Sequence, residues 1–329
     1  MTALAPTLQA FFTDRLTAQR HCSPQTIASY RDTMRLLLQY THTTVGRPPA
    51  QLDLADLDAE LISAFLDHLE HDRHNTISTR NTRLAAIRSL FAYASLHHPE
   101  HAAEIARVLA IPPKRHDRTI VTHLTKPEIT ALLDATNTTT WIGRRDRTMI
   151  GLAIETGLRV SELIALTRAD THLGAAAHVA CHGKGRKDRI TPLTKPAAHA
   201  LHEWLRERGG GPPDPVFPTS RGNPLTRDAI ARRLTLYTHL ATTNCPTLHD
   251  KNVTPHVLRH TAAMRLLHAG VDTTVIALWL GHESVETTRI YLDADLSIKE
   301  RALARTTPTN SKPGRYAPTD KLLSFLEAL

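Results

Sequence analysis

The segment from Ile111 to Thr119, IPPKRHDRT, constrains the fold of this 329-residue chain more than any other. Two adjacent prolines exclude a continuous helix through the segment, and four of its side chains are basic or can become so. A single hydrophobic core seldom grows beyond about 250 to 300 residues, so a break here predicts two domains. The predicted divisions are a first domain at 1–111, a basic linker at 112–118, a second domain at 119–305 and a tail at 306–329.

The first domain is predicted to be almost entirely helical from residue 7 to about 110, because the helix starts are recognisable. Ser23 before Pro24 is typical of an N-cap followed by proline at the first helical position. Asp58 is a second candidate N-cap, and a third helix is predicted from about Ser78 to Leu96. This domain has no glycine-rich or catalytic motif, so we interpret it as a binding module.

Basic side chains away from the apolar positions of these helices suggest the partner of that module. The chain has a net charge of +8 and a pI of about 9.6, which favours a polyanion. A solvated helix face explains any one of these residues, but together they are interpreted as DNA-phosphate contacts. The predicted contacts in and next to the first domain are Arg31, Arg35, Arg80, Arg83, Arg88, Lys114 and Arg115.

A change to alternating apolar residues after Ala177 predicts a β-hairpin in the second domain. Its turn contains Gly183-Lys184-Gly185, and Arg186, Lys187 and Arg189 near the tip are expected to contact a groove of DNA. The turn lacks the spacing of a phosphate-binding loop and no helix follows it, so no nucleotide cofactor is expected. The predicted fold class is mainly α with a small antiparallel β-hairpin, an α+β arrangement.

The stretch from Thr254 to Tyr291 contains most of the chemically active side chains. A helix beginning at Pro255 places His256 and Arg259 on one stripe, and a second helix is expected to end at Gly281, directly before His282. A helix-turn-helix would give these residues a structural role instead. Zinc binding by His256 and a histidine one turn later is discounted, because the H-E-x-x-H motif is absent and an arginine lies beside the pair.

These residue types suit chemistry at a phosphodiester. Two arginines, Arg159 and Arg259, could clamp the non-bridging oxygens and neutralise the transition state without a metal. Tyr291 could attack phosphorus, and Lys184 or His256 could move the protons. For Arg159 a purely structural pair with Glu162 is the competing interpretation.

Four motifs resemble those of the tyrosine recombinase, or phage integrase, family, in outline the two-domain Xer-like members. They are TGLRVSEL at 156–163, GKGRKDR at 183–189, HVLRHT at 256–261 and LGHESVETTRIY at 280–291. The resemblance implies a helical, SAM-like core-binding domain followed by a catalytic domain. It also implies an active site with Glu162 as a supporting residue and without a cofactor or metal. The implied catalytic residues are Arg159, Lys184, His256, Arg259, His282 and Tyr291.

The resemblance further implies site-specific recombination through a 3′-phosphotyrosine and a Holliday junction, by a homotetramer on two double-stranded DNA sites. The tail contains a short apolar segment ending at Leu329. This segment is expected to dock on a neighbouring subunit, with docking on the same subunit as the alternative. Integrase, transposon recombinase and dimer resolvase all remain open, as does a need for a second recombinase or an accessory protein. The competing functions are a type IB topoisomerase and a non-catalytic DNA-binding regulator.

Cysteine content and hydropathy indicate the cellular compartment in which the protein is expected. The chain has only three cysteines, too few for a disulfide framework. No stretch of eighteen apolar residues occurs, and the first thirty residues lack the pattern of a signal peptide. We therefore expect a cytoplasmic, nucleoid-associated protein that does not enter a membrane.

Overall fold

The computed structural model describes residues 3–115, 121–182 and 188–281. Contacts within the chain divide it into two compact units, Met1–Arg118 and Thr119–Leu329. The division falls inside the segment that contains the two prolines. Each unit has a hydrophobic core of its own.

Helices build the first unit, and their starts follow the local sequence. The Ser23 hydroxyl accepts a hydrogen bond from the Thr26 backbone N–H at 3.2 Å, and the Asp58 carboxylate accepts one from the Leu61 N–H at 2.8 Å, so both predicted N-caps are confirmed. The helices are α1 Leu4–Ala10, a wider-turned continuation Phe11–Gln19, α2 Pro24–Val45, α3 Ala59–His71, α4 Ile77–His97 and α5 Ala102–Ala110.

The core of the first unit lies between these helices. Phe11, Phe65 and Phe91 are each at most 1% exposed, and burying one such ring stabilises a fold by about 1.5 to 3 kcal/mol. Tyr30 stacks on Phe11, with ring centroids 6.3 Å apart. The apolar stripes of successive helices thus meet in one cluster.

The second unit combines seven described helices with a small sheet. The helices are α6 Lys126–Asp134, α7 Trp141–Thr156, α8 Val160–Ala165, α9 Lys195–Arg208, α10 Arg227–Ala241, α11 Pro255–His268 and α12 Thr273–Leu280. The strands are β1 Thr171–His172, β2 His178–His182 and β3 Asp188–Pro192. This mainly helical, two-domain arrangement confirms the predicted fold class.

The sheet is antiparallel in the order β1-β2-β3. The predicted hairpin is present as β2 and β3, and β1 adds a third strand that the sequence pattern did not reveal. The register pairs Val179 with Thr191 and Cys181 with Arg189. Paired residues point to the same side of a sheet, and Val179, Cys181 and Thr191 are all buried. Arg189 therefore lies on the inner face of the hairpin, whereas Ile190 points outward.

A capping box formed by Thr125 and Glu128 begins α6, and Glu128 also binds a distant segment. The Thr125 N–H donates to Glu128 Oε2 at 2.7 Å, while the Lys251 ammonium donates to the same oxygen at 2.7 Å. Burial by itself would raise the pKa of Glu128, but these hydrogen bonds and one from Thr247 lower it to about 2. The carboxylate thus ties the segment around Lys251 to the start of α6.

Two helix ends meet at the point where the candidate site forms. α7 ends at Gly157 with φ +65°, and α12 ends at Gly281 with φ +64°, both left-handed conformations that favour glycine. A Cβ atom at Gly157 would lie 2.5 Å from Leu280 Cδ2. The absence of a side chain at Gly157 is therefore what lets the ends of α7 and α12 approach each other.

Within the described ranges, no helix combines the length and the apolar character needed to cross a lipid bilayer.

Candidate active site

The structure describes part of the predicted site. The described part includes Arg159, the N-cap of α8, and Glu162 on the same helix. It also includes His256 and Arg259 on α11. Lys184, His282 and Tyr291 lie outside the described residues, as do Arg186, Lys187 and the tail. The roles of those residues stay predictions.

Arg259 is buried at the meeting point of two helix ends. Its helix begins as predicted, with Pro255 at the first position and the Thr254 hydroxyl accepting from the Val257 N–H at 3.3 Å. The guanidinium donates from Nη1 to the Gly157 carbonyl and from Nη2 to the Leu280 carbonyl, each at 2.6 Å. The side chain is 3% exposed. Arg259 therefore ties the end of α7 to the end of α12.

Arg159 follows Gly157 by two residues and reaches the same place. Its Nη1 donates to Glu162 Oε1 at 2.9 Å, and its Nη2 donates to the Gly281 carbonyl at 2.7 Å. The side chain remains 36% exposed. The structural pair with Glu162 is thus present, and it leaves a partly open guanidinium beside the end of α12.

Glu162 is a buried carboxylate that accepts four hydrogen bonds from residues that the structure describes. Oε1 accepts from Nη1 of Arg159 and Nη1 of Arg189, each at 2.9 Å, and Oε2 accepts from Arg189 Nη2 and the Arg159 N–H, each at 2.7 Å. Burial alone would raise the pKa of Glu162, but the hydrogen bonds and charge of Arg189, together with those from Arg159, lower it to about 2. The carboxylate is therefore ionised at neutral pH and fixes two guanidinium groups at once.

Arg189 occupies a position that the sequence analysis did not foresee. An exposed flank of the hairpin was predicted, with the side chain contacting DNA. The side chain is instead only 11% exposed, and each of its three nitrogens donates, Nε to the Trp279 carbonyl at 3.1 Å and the other two to Glu162. Alternation along β3 explains the difference, because Arg189 shares the inner face with its partner Cys181. Arg189 and the buried Thr191 are two residues apart in the strand. This spacing was the sequence signal that Arg189 faces inward.

Two histidines lie one turn apart on α11. The ring centroids of His256 and His260 are 4.6 Å apart, in an edge-to-face arrangement. Desolvation and the positive charges of Arg259 and Arg159 lower the pKa of His256, and desolvation followed by the charge of His256 lowers that of His260 to about 4. His256 is therefore held neutral at pH 7, a state in which it can accept a proton.

The predicted DNA contacts of the first unit divide into exposed and internal groups. Arg31 and Arg35 are exposed on α2, and Arg115 is exposed at the end of the described linker. Arg88 is half-buried, as is Arg83, which donates to the Thr33 hydroxyl at 3.3 Å. Arg31, Arg35 and Arg115 are therefore the predicted contacts whose side chains are accessible to a polyanion.

The expectation that Arg80 faces away from the core is wrong. Its side chain is buried, with Nε 3.3 Å from Glu70 Oε1 and Nη1 donating to the Pro112 carbonyl at 3.2 Å. Lys114 donates to the other oxygen of Glu70 at 2.9 Å. Both cations thus fasten the start of the linker to α3 and α4, because a buried guanidinium requires a paired carboxylate.

Side chains that could bind a metal do not cluster in the described part of the chain. Across 3–115, 121–182 and 188–281, no group of three or more His, Cys, Asp and Glu side chains is placed to hold a metal ion. A groove of about 920 Å³ borders α6, α7, α9 and α11. Its lining contains none of Arg159, Glu162, Arg189, His256 or Arg259, so it is separate from the arginine cluster.

Family models match both units. The phage integrase family model matches residues 122–297, and the model of the phage integrase N-terminal SAM-like domain matches residues 10–98. The first match alone spans more than half of the chain and covers every residue predicted for the active site.

Similar proteins agree with these matches. The chain is 50% identical over 327 residues to the putative integrase/recombinase y4rC of Sinorhizobium fredii, covering 99% of this chain and 98% of that protein. It is 33% identical over 282 residues to the tyrosine recombinase XerC of Pelobacter propionicus, covering 85% and 88%. A lambda integrase tetramer bound to a Holliday junction shares the fold, with a TM-score of 0.65, 19% identity and coverage of 88% and 77%. The chain therefore belongs to the phage integrase family of tyrosine recombinases.

Proposed function

We propose that this protein is a site-specific DNA recombinase that cuts and rejoins strands through a phosphotyrosine at Tyr291. The observation that carries the proposal is the convergence of Arg159 and Arg259, far apart in sequence, on the Leu280–Gly281 turn. The next residue in the chain is His282, and Tyr291 follows nine residues later. Two guanidinium groups anchored at one point suit a single phosphate.

The reaction requires one bond to form and one to break in each step. The Tyr291 oxygen attacks phosphorus, the bond from phosphorus to the 5′ oxygen breaks, and that oxygen leaves with a proton from Lys184. Arg159, Arg259 and His282 stabilise the charge on the non-bridging oxygens of the transition state. Rejoining reverses the step, with the 5′ hydroxyl of a partner strand as nucleophile, so the energy of the phosphoester is conserved.

His256 is assigned to the proton of the tyrosine hydroxyl. Its pKa is lowered by desolvation and by the nearby arginines, so the ring is neutral when it meets the substrate. A neutral imidazole accepts a proton as the nucleophile attacks. The arginines that bind the phosphate therefore also keep the base in its reactive form.

We propose double-stranded DNA as the partner and a homotetramer on two DNA sites as the active assembly. The exposed arginines of α2 supply positive charge for the DNA backbone, and the lambda integrase with the same fold is a tetramer on a Holliday junction. The cytoplasm is the proposed location, as the three described cysteines form no disulfide.

The apolar tail segment at 318–329 is proposed to dock on a neighbouring subunit. Its deletion should weaken tetramers on DNA, and unchanged assembly would contradict that.

A suicide DNA substrate, nicked so that the cleaved end diffuses away, tests the reaction. Wild-type protein should accumulate a covalent DNA adduct that maps to Tyr291, and Tyr291→Phe should bind the same DNA without forming one. An adduct formed by Tyr291→Phe at the wild-type level would overturn the assignment of the nucleophile.

The suicide substrate, together with assays on supercoiled DNA and on DNA with two sites, separates the competing functions. Wild-type protein that binds DNA specifically and never forms an adduct would be a regulator. Adduct formation followed only by relaxation of supercoiled DNA, without exchange between two sites, would indicate a type IB topoisomerase. Exchange of flanking sequences between two sites is the result that the proposal requires.

A further inference from the structure

Three consecutive carbonyl groups at the end of α12 each accept a hydrogen bond from a different arginine. Arg189 Nε donates to Trp279, Arg259 Nη2 to Leu280 and Arg159 Nη2 to Gly281, at 3.1, 2.6 and 2.7 Å. The final carbonyls of a helix lack partners within the helix, and cations are favoured at that end. The three donors come from β3, α11 and the start of α8, so three separate segments fix one turn.

The arginines differ in what else they are able to reach. Arg159 is about one-third exposed, so its guanidinium has an open side. Arg189 is almost covered, and its three nitrogens donate to Glu162 and Trp279. Both of its Nη atoms bind the Glu162 carboxylate, an anion that occupies the fork a DNA phosphate would need. Its contacts are instead shared with the groups that hold Arg159.

Glu162 is the link between Arg189 and Arg159. Its Oε1 accepts from both guanidinium groups, so a shift of the carboxylate moves the Arg159 fork as well. Without Arg189, Arg159 would be the one cationic partner left to buried Glu162 among the described residues, and the Trp279 carbonyl would lose the Arg189 donor. Both the arginine and the turn before His282 would then be free to rotate or shift.

We propose that Arg189 is a positioning residue for the recombinase reaction: through Glu162 and the Trp279 carbonyl it sets the orientation of Arg159 and of the turn that leads into His282. This inference rests on the proposed function, since it assigns Arg189 a part in that same reaction. It replaces the predicted contact between Arg189 and DNA. It also explains why an arginine near the hairpin tip points inward.

The test compares Arg189→Gln with Arg144→Gln on the suicide substrate. Arg144 is a control, because it too pairs with a glutamate through two nitrogens, here Nε and Nη2 to Glu207 at 2.7 to 3.1 Å, and its hydrogen bonds do not involve α12. The measurements are the dissociation constant for the DNA and the single-turnover rate of adduct formation at saturating DNA. A misplacement of about 1 Å in a reacting group costs roughly 10²-fold in rate.

For Arg189→Gln we expect a rate about 10²-fold below wild type with a dissociation constant within about threefold, and for Arg144→Gln wild-type values of both. Arg189→Lys retains the charge without the fork, and we expect a partial recovery of rate. A large rise in the dissociation constant with an unchanged saturated rate would show that Arg189 contacts DNA and would overturn the proposal. Unchanged values of both would overturn it too.

The adduct assay distinguishes failure of the proposed function from failure of the role of Arg189. Wild-type protein that never forms an adduct would remove the proposed function itself. Wild-type and Arg189→Gln proteins that form adducts at equal rates would remove only the role of Arg189. Should Arg189→Gln fail to fold, as judged by thermal unfolding, the Arg189→Lys rate decides, and a wild-type rate there would contradict a need for the bidentate fork.

Discussion

Two arginine–glutamate pairs in the second unit have similar hydrogen-bond distances and very different surroundings. Arg144 on α7 reaches Glu207 on α9 at 2.7 Å, with side chains that are 39% and 33% exposed. Arg189 on β3 reaches Glu162 on α8 at the same distance, with side chains that are 11% and 5% exposed. The outer pair has one further described contact, from Arg144 to the Thr138 carbonyl, whereas the inner pair also contacts Arg159 and the end of α12.

The difference indicates what a buried ion pair does in this fold. An exposed pair contributes little to stability, because solvent screens it and two long side chains must be ordered. Burying a pair costs desolvation, which good geometry does little more than offset. The inner pair is therefore better explained by the orientation that it imposes on Arg159 and on the turn at Gly281 than by added stability. Removing one partner is nevertheless costly, since it leaves a buried charge unpaired.

Glu162→Gln should have the largest effect on stability. It leaves Arg189 buried beside a neutral amide, and we expect the free energy of unfolding at pH 7 to fall by about 3 kcal/mol. Urea unfolding of the full-length variant measures this. A loss below about 1 kcal/mol, the range of exposed pairs, would erase the distinction between the two pairs.

The pH dependence of that loss sharpens the comparison. The pKa of Glu162 in the folded protein is about 2, below its ordinary value of 4.5, so its stabilisation is complete above about pH 5 and is lost as the pH falls toward 2. The gap in unfolding free energy between wild type and Glu162→Gln should therefore shrink in that window. Glu128 also has a pKa of about 2, but it is present in both proteins and cancels. A gap that stays constant down to pH 2.5 would contradict the assignment.

Gly157→Ala should have the next largest effect, because it disturbs the contact between the ends of α7 and α12. The added Cβ would lie 2.5 Å from Leu280 Cδ2 and 3.1 Å from Ala262 Cβ, at a φ of +65°. Left-handed strain and the contact together should cost about 1 to 3 kcal/mol. Gly174→Ala is the control, since a Cβ there has no atom within 4 Å. Equal unfolding temperatures for the two variants would show that the close approach is unimportant.

Arg144→Gln should have the smallest effect. The outer pair lies in solvent and no other described contact depends on it except a hydrogen bond to the Thr138 carbonyl. We expect its unfolding temperature to stay within about 2 °C of wild type. A larger fall, comparable with that of Glu162→Gln, would show that burial is not what separates the two pairs.

Local sequence signals predicted much of this architecture. Ser23, Asp58, Thr125, Thr254 and Gly157 mark the helix ends that the structure shows, because caps and left-handed glycines act through neighbouring residues only. The hairpin followed from alternation in the same way. α9 was not recognised, although Thr194 and Pro196 form a cap signal, because few apolar residues mark its buried face.

Contacts between distant segments could not be read from local patterns. Arg80 and Arg189 both resemble surface cations in the sequence. Their burial depends on pairing with Glu70 and Glu162, which lie on other secondary-structure elements. The likeness of the four motifs to the phage integrase family predicted which arginines matter, namely Arg159 and Arg259. It did not predict that their guanidinium groups would bind adjacent carbonyls at the end of α12.

The most direct test of the central claim is a double-mutant cycle on the saturated rate of adduct formation with Arg189→Gln, Glu162→Gln and the double variant. If the pair acts as one positioning unit, each single variant loses about 10²-fold and the double variant loses no more than the larger single loss. Losses that multiply, to about 10⁴-fold in the double variant, would show that the two residues act independently. That result would contradict the account.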